Sequence, residues 1–160
     1  LLNVTLICVG RLKERFYMDA AGEYQKRLKG YCKLEVVELI EQKLPPKPTS
    51  GQIEGALERE YEAVLGKLPR DGKLVAMCVE GVPMSSQELA QTLEHWMVSG
   101  TSCVTFVIGG SNGLAPRLKR DAALRLSMSA MTFPHHLARV MLLEQVYRAF
   151  KIQEGSDYHK

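Results

Sequence analysis

Residues 103–135 read CVTFVIGGSNGLAPRLKRDAALRLSMSAMTFPH, and the rest of the chain falls into place around them. Cys103–Ile108 is apolar and β-branched, the composition of a strand buried on both faces. Gly109, Gly110 and Gly113 follow, so the backbone there must turn sharply or pass close to another group. Ser127–His135 is a second run of small residues, with no two-residue or 3.6-residue apolar repeat. It reads as a strand passing into a loop, with Pro134 just before a helix. A glycine-rich turn at the carboxyl end of a parallel strand is where open α/β folds bind small ligands. The same residues also fit an ordinary tight turn that binds nothing.

On the N-terminal side, Asn3–Val9 reads as a strand closed by Gly10. Arg11–Gly30 reads as a helix with Phe16, Ala20, Ala21, Tyr24 and Leu28 near helical spacing, and Cys32–Ile40 as a strand. Pro45, Pro46 and Pro48 exclude a helix or central strand from Glu41–Gly51, which is either a connector or a gate over the ligand site. Gln52–Leu68 is a helix, and Lys73–Val79 an apolar strand broken by Glu80-Gly81-Val82-Pro83. Ser85 with Glu88 forms a capping box that opens a helix running to about Ser99. On the C-terminal side, Pro116–Ala123 reads as a short helix, Leu124–Ser129 as a strand and His135–Ile152 as the last helix, with Glu144 and Arg148 spaced for an i,i+4 pair. Strand and helix alternate throughout. The expectation is one α/β domain over residues 1–160, a parallel sheet with helices on both faces. The tail, Glu154–Lys160, is of the kind that frays, yet it ends in the functional-looking cluster Tyr158-His159-Lys160.

A chain of 160 residues can bury a proper core. No apolar run approaches the roughly 18–20 residues that span a bilayer, and no secretory signal opens the chain, so a cytoplasmic location with no membrane is expected. Cys8, Cys32, Cys78 and Cys103 each fall in a strand, without C-x-x-C or histidines at metal spacing. They read as buried thiols of a reducing compartment, and no metal is expected. The net charge of +3 demands no nucleic acid. The basic residues cluster, however, at Arg11-Lys13-Arg15, Lys26-Arg27-Lys29 and Arg117-Lys119-Arg120, as solvated helix faces or as phosphate contacts. The P-loop, the dinucleotide G-x-G-x-x-G and the G-x-S-x-G elbow are all missing, and the spacing of Ser111, Asp121 and His135 supports no hydrolase triad.

Five segments taken together resemble one family: Val9–Glu14 (VGRLKE), Phe106–Leu114 (FVIGGSNGL), Leu126–His135 (LSMSAMTFPH), Glu144–Phe150 (EQVYRAF) and the terminal Tyr158-His159-Lys160. The sequence is similar to the RlmH family, the small SPOUT-class methyltransferases of bacterial large-subunit rRNA, over essentially its whole length. The resemblance implies a SPOUT-type sheet whose C-terminal part threads into a trefoil knot. It implies a homodimer that binds S-adenosylmethionine and methylates N3 of a pseudouridine in 23S rRNA on the assembled ribosome. It places the cofactor cradle at Met77 and Cys78, at Gly109 and Gly110, and at Ser129, Ala130, Met131, Thr132, Phe133 and Pro134. Met77, Met131 and Phe133 would be apolar walls for adenine, and a side chain at Gly110 would occupy the cofactor's space. Two positions depart from the family: Asp157, where proline usually precedes the terminal Tyr-His, and Val82, where lysine is common.

Methyl transfer to a uracil-like N3 needs that nitrogen's anion favoured, which a nearby cation does. His135 and Arg139 stand i,i+4 on one helix beside the cofactor loop, and the tail offers Tyr158 and His159, which could complete the site across the dimer interface that the resemblance implies. The alternative for His135 is a helix-terminal residue satisfied by solvent, and for Arg139 a surface arginine. Two other functions stay open: a non-catalytic RNA-binding module on the same fold, and a SPOUT methyltransferase of another RNA such as tRNA. The second usually carries an added RNA-binding domain, for which this chain has no room.

Overall fold

A computed structural model describes residues 1–160. Five strands alternate with five helices: β1 (Leu2–Val9), α1 (Arg15–Leu28), β2 (Cys32–Leu39), α2 (Ser50–Leu65), β3 (Lys73–Pro83), α3 (Ser86–Val98), β4 (Cys103–Ile108), α4 (Pro116–Asp121), β5 (Leu124–Ser127) and α5 (His135–Gln153). The strands form one sheet in the order β2-β1-β4-β3-β5, and every pairing is parallel. This is the helix-flanked parallel sheet that the alternating pattern implies.

The pleat sorts the core into two layers, because successive side chains on a strand face opposite ways. Val4, Leu6 and Cys8 of β1 and Phe106 and Ile108 of β4 point to the face covered by α1, α3 and α5. Ile7 of β1, Ala76 of β3 and Val107 of β4 point to the other face, under α2 and α4. All six residues of β4 are buried, as a central strand covered on both sides must be.

The element ends differ from the sequence reading for local reasons. Helix α1 starts at Arg15, not Arg11. Gly10 adopts φ +108, and the N–H of Leu12 donates to Glu38 Oε2 at 3.0 Å, so the chain is held off the helix until Glu14. Helix α2 starts at Ser50 because Thr49 and Gln52 form a reciprocal capping box, which places Gly51 inside its first turn. The Ser85–Glu88 capping box expected before α3 is present. Strand β3 does not end at Val79. Met77 pairs with Leu126, the chain bulges out, and Val82 returns to the same partner. Residues 78–81 therefore leave the ladder. Strand β5 ends at Ser127, two residues short of the expected Ser129.

Candidate active site

Strands β4, β3 and β5 lie side by side, so the segments at their carboxyl ends meet. They enclose an open cleft of about 220 Å³, whose lining includes Met77, Cys78, Gly109, Gly110, Ser129, Met131, Thr132, Phe133 and His135. Ala130 and Pro134 belong to the same loop but do not face the cleft. Three devices shape it. The β3 bulge swings residues 78–81 out, and Gly81 allows this because a Cβ there would lie 2.7 Å from the Arg125 carbonyl oxygen. The glycine turn folds on itself, with the N–H of Gly113 donating to the carbonyl of Gly110 at 3.1 Å. A Cβ on Gly109 would sit only 2.5 Å from the carbonyl carbon of Gly113. Within the loop after β5, the Ser127 hydroxyl donates to the Ser129 carbonyl, and the N–H of Met131 donates to Ser129 Oγ at 3.0 Å.

This cleft suits an adenosyl group. Its walls include the apolar side chains of Met77, Ile108, Leu114, Leu126, Met131 and Phe133. The backbone N–H groups of Thr132 and Phe133, two residues that line the cleft, donate to no protein acceptor and so are free for the polar edge of a base.

At Gly110 the expected reason for glycine changes. A Cβ there would meet the carboxylate of Glu41, 2.5 Å from Oε1, and not the cleft. Glu41 accepts the N–H of Ser111 at 2.8 Å and so ties the end of β2 to the glycine turn. The next N–H, that of Gln42, donates to buried Glu60 of α2 at 2.9 Å. The head of the proline-containing segment is thus pinned on both sides.

His135 lines the cleft at the start of α5. Burial lowers its pKa, and the neighbouring His136 lowers it further, so its imidazole is neutral near pH 7. Arg139 is not a surface arginine. It is 3% exposed, with Nη1 donating to Glu38 Oε2 at 2.8 Å, Nη2 donating to the Gly10 carbonyl at 3.3 Å and Nε without a partner. Burial pushes the Glu38 carboxyl up, but the hydrogen bonds from Arg139 and the Leu12 N–H outweigh it and hold it below the ordinary carboxylate range. Arg139 therefore locks α5 to the ends of β1 and β2 from behind the cleft.

The tail packs instead of fraying, but not into the cleft. The Tyr158 ring stands edge-on to Tyr147 at 5.0 Å, with the Arg148 guanidinium 4.8 Å from its centre. The ring nitrogens of His159 lie 3.1 Å from Arg148 Nη1 and 2.8 Å from the side-chain nitrogen of Gln87. Arg148 also makes the expected i,i+4 pair with Glu144, at 2.6 Å. A second cavity of about 500 Å³ lies beside this cluster between α3, α5 and β5, and it shares Leu126 and Met128 with the cleft.

The remaining sequence candidates fall elsewhere. Asp121 accepts the Tyr61 hydroxyl at 2.6 Å, which holds it against α2 and away from any triad. Cys8, Cys32 and Cys103 are buried, and burial pushes the Cys8 and Cys32 thiols up to about 11. Cys78 differs from the expected buried thiol, because it is half-buried and faces the cleft. Sequence reasoning missed Glu80 and Lys119, which pair across the cleft wall at 2.5 Å. Nothing in their spacing marks them. Leu114, also missed, was legible as the apolar residue that closes the glycine turn.

Residues 2–159 match the family described as "Predicted SPOUT methyltransferase". A protein of Acetivibrio thermocellus named "Ribosomal RNA large subunit methyltransferase H" is 45% identical over 99% of this chain and 100% of its own. A protein of the same name from Bifidobacterium animalis subsp. lactis is 46% identical, again over 99% and 100%. Among solved structures, a probable methyltransferase from Bordetella pertussis Tohama I superposes with a TM-score of 0.60 at 16% identity, covering 92% of this chain and 95% of that one. A probable methylase family protein from Haemophilus influenzae Rd KW20 gives 0.52 at 13% identity, covering 99% and 70%. These two likenesses concern the fold alone.

Proposed function

The chain belongs to the SPOUT methyltransferase family, and from that membership we propose that it methylates N3 of a pseudouridine in the 23S rRNA of the ribosome, using S-adenosylmethionine and working as a cytoplasmic homodimer of one domain per chain. The observation that carries this reading is the convergence of the β3 bulge, the glycine turn and the loop after β5 on one cleft with His135 at its edge. The names of the relatives point to large-subunit rRNA as the target.

When bound, S-adenosylmethionine supplies a methyl group on a sulfonium, already activated, together with its own leaving group. The residues of this chain do the rest. The N–H groups of Thr132 and Phe133 would hold the adenine edge between apolar walls, and the glycine turn, folded on Gly113 and Glu41, would form one side of the cofactor's place. The N3–H of the target base must give up its proton. The imidazole of His135, at the edge of the cleft, is placed to accept it. Arg139, held by Glu38 and the Gly10 carbonyl, is a positioning residue that anchors the first turns of α5, where His135 stands.

A homodimer accounts for where the tail lies. Tyr158 and His159 pack on α3 and α5, outside the cleft of their own subunit, so any part they play in methyl transfer is in the partner's site. Deleting Tyr158–Lys160 should leave cofactor affinity within about twofold and lower turnover on ribosomes at least about tenfold, roughly 1.4 kcal/mol of barrier. Unchanged turnover would show the tail to be idle.

Cofactor titration tests the reading against a non-catalytic RNA-binding module. Calorimetry should detect saturable binding of S-adenosylmethionine to the protein without RNA, and competition by S-adenosylhomocysteine. A folded protein that binds neither would overturn the proposal.

A further inference from the structure

Four aromatic rings run in contact from the cleft to the surface. His135, at the cleft edge, stands 4.3 Å centre-to-centre from His136. His136 meets Tyr17 edge-on at 6.0 Å, and Tyr17 lies 4.4 Å from Phe16. Phe16 ends the row with 65% of its surface exposed, although a phenylalanine gains most from burial. It sits in the first turn of α1, directly after the basic segment Arg11-Lys13-Arg15.

Each of the three basic clusters holds both paired and unpaired cations, and what sets the first apart is the exposed ring of Phe16 beside it. Arg117 is held by Glu58 and Glu62, Lys119 by Glu80, and Arg27 by Glu23. Arg11 and Lys13, both exposed, enter no ion pair, and the same holds for Lys26, Lys29 and Arg120 of the other clusters. The pair of Arg15 with Asp19 is long, at 3.6 Å, and solvent-exposed on both sides, so it holds the guanidinium weakly. Glu14, the acidic residue in the segment, turns to His136 at 3.3 Å and steadies the ring row.

We propose that Phe16 and Tyr17, flanked by Arg11, Lys13 and Arg15, form the surface that receives unpaired bases of the RNA next to the methylated one. This rests on the function proposed above and adds where the RNA strand enters. Unpaired bases stack on aromatic rings, and neighbouring phosphates require cations, so a bare ring beside uncommitted arginine and lysine suits a single RNA strand. The row of rings connects that surface to His135, where the target base must arrive.

The test compares wild type, Phe16→Ala and Phe16→Trp for binding to ribosomes that lack the modification, read by cosedimentation over a salt series. Sedimentation velocity and cofactor titration are run on each protein. Phe16→Ala should weaken ribosome binding about tenfold or more, Phe16→Trp should restore it, and oligomeric state and cofactor affinity should not change. Ribosome binding by Phe16→Ala equal to wild type would overturn the inference. So would dissociation of the dimer, which would make this face an interface between copies, and so would wild type that fails to bind ribosomes. If wild type binds ribosomes through Phe16 but transfers no methyl group, the proposed reaction fails while the RNA surface stands.

Discussion

Gly109→Ala should abolish measurable cofactor binding, weakening it by at least about a hundredfold, or about 2.7 kcal/mol. The reason is backbone geometry. An added Cβ would fall on the carbonyl of Gly113, and no side chain can swing aside to relieve the contact. The turn would have to open, and with it the wall that Gly109, Gly110 and Leu114 give the cleft. Gly110→Ala is the informative control. Its Cβ would meet the end of a flexible glutamate, so Glu41 can move at the cost of its hydrogen bond to the Ser111 N–H, about 1 kcal/mol. Calorimetry with S-adenosylmethionine should therefore rank wild type above Gly110→Ala and Gly110→Ala far above Gly109→Ala. Circular dichroism should show an unchanged α/β fold in each. Wild-type affinity in Gly109→Ala would mean that the turn is not part of the cofactor site.

Glu38→Ala should cost about 3 kcal/mol of stability, because it strands the Arg139 guanidinium with only the Gly10 carbonyl at 3.3 Å. The figure sits at the low end for broken buried pairs, since the Glu38 side chain is 34% exposed and water can enter where it was. Arg139→Ala should cost less in electrostatics, as a partly exposed carboxylate left alone can hydrate. The pH dependence has a definite sign. The folded-state pKa of Glu38 is depressed, so its contribution is present above the ordinary carboxylate range and is lost as pH falls through the folded value. Urea midpoints of wild type and variant should therefore differ most near neutral pH and converge as pH falls below the ordinary carboxylate range. A difference below about 1 kcal/mol at pH 7 would mean that Arg139 is not held by this pair.

The sequence announces most of the fold because its strands are short apolar runs and its helices carry one-sided apolar sets between glycine, proline and capping residues. Cys103–Ile108 reads correctly to the residue, since a strand covered on both faces is apolar throughout. The β3 bulge is not legible. What allows residues 78–81 to leave the ladder is the close passage of Gly81 along β5, a contact between segments far apart in the chain. The burial of Arg139 escapes for the same kind of reason. Helical periodicity assigns an arginine to solvent, and only the parallel pairing of β1 with β2 brings Glu38 and Gly10 to it. The apolar and glycine parts of the cleft were legible as motifs, whereas Glu41, Glu80 and Lys119 come from elements that the fold alone brings there.

The most direct test of the account is methyl transfer itself. The protein is mixed with methyl-labelled S-adenosylmethionine and ribosomes lacking the modification, and the rRNA is digested and mapped by mass spectrometry. The account predicts one labelled position, N3 of a pseudouridine in 23S rRNA. Label on a different RNA would contradict the proposed substrate, and no label on any RNA from a folded protein that binds the cofactor would contradict the proposed reaction.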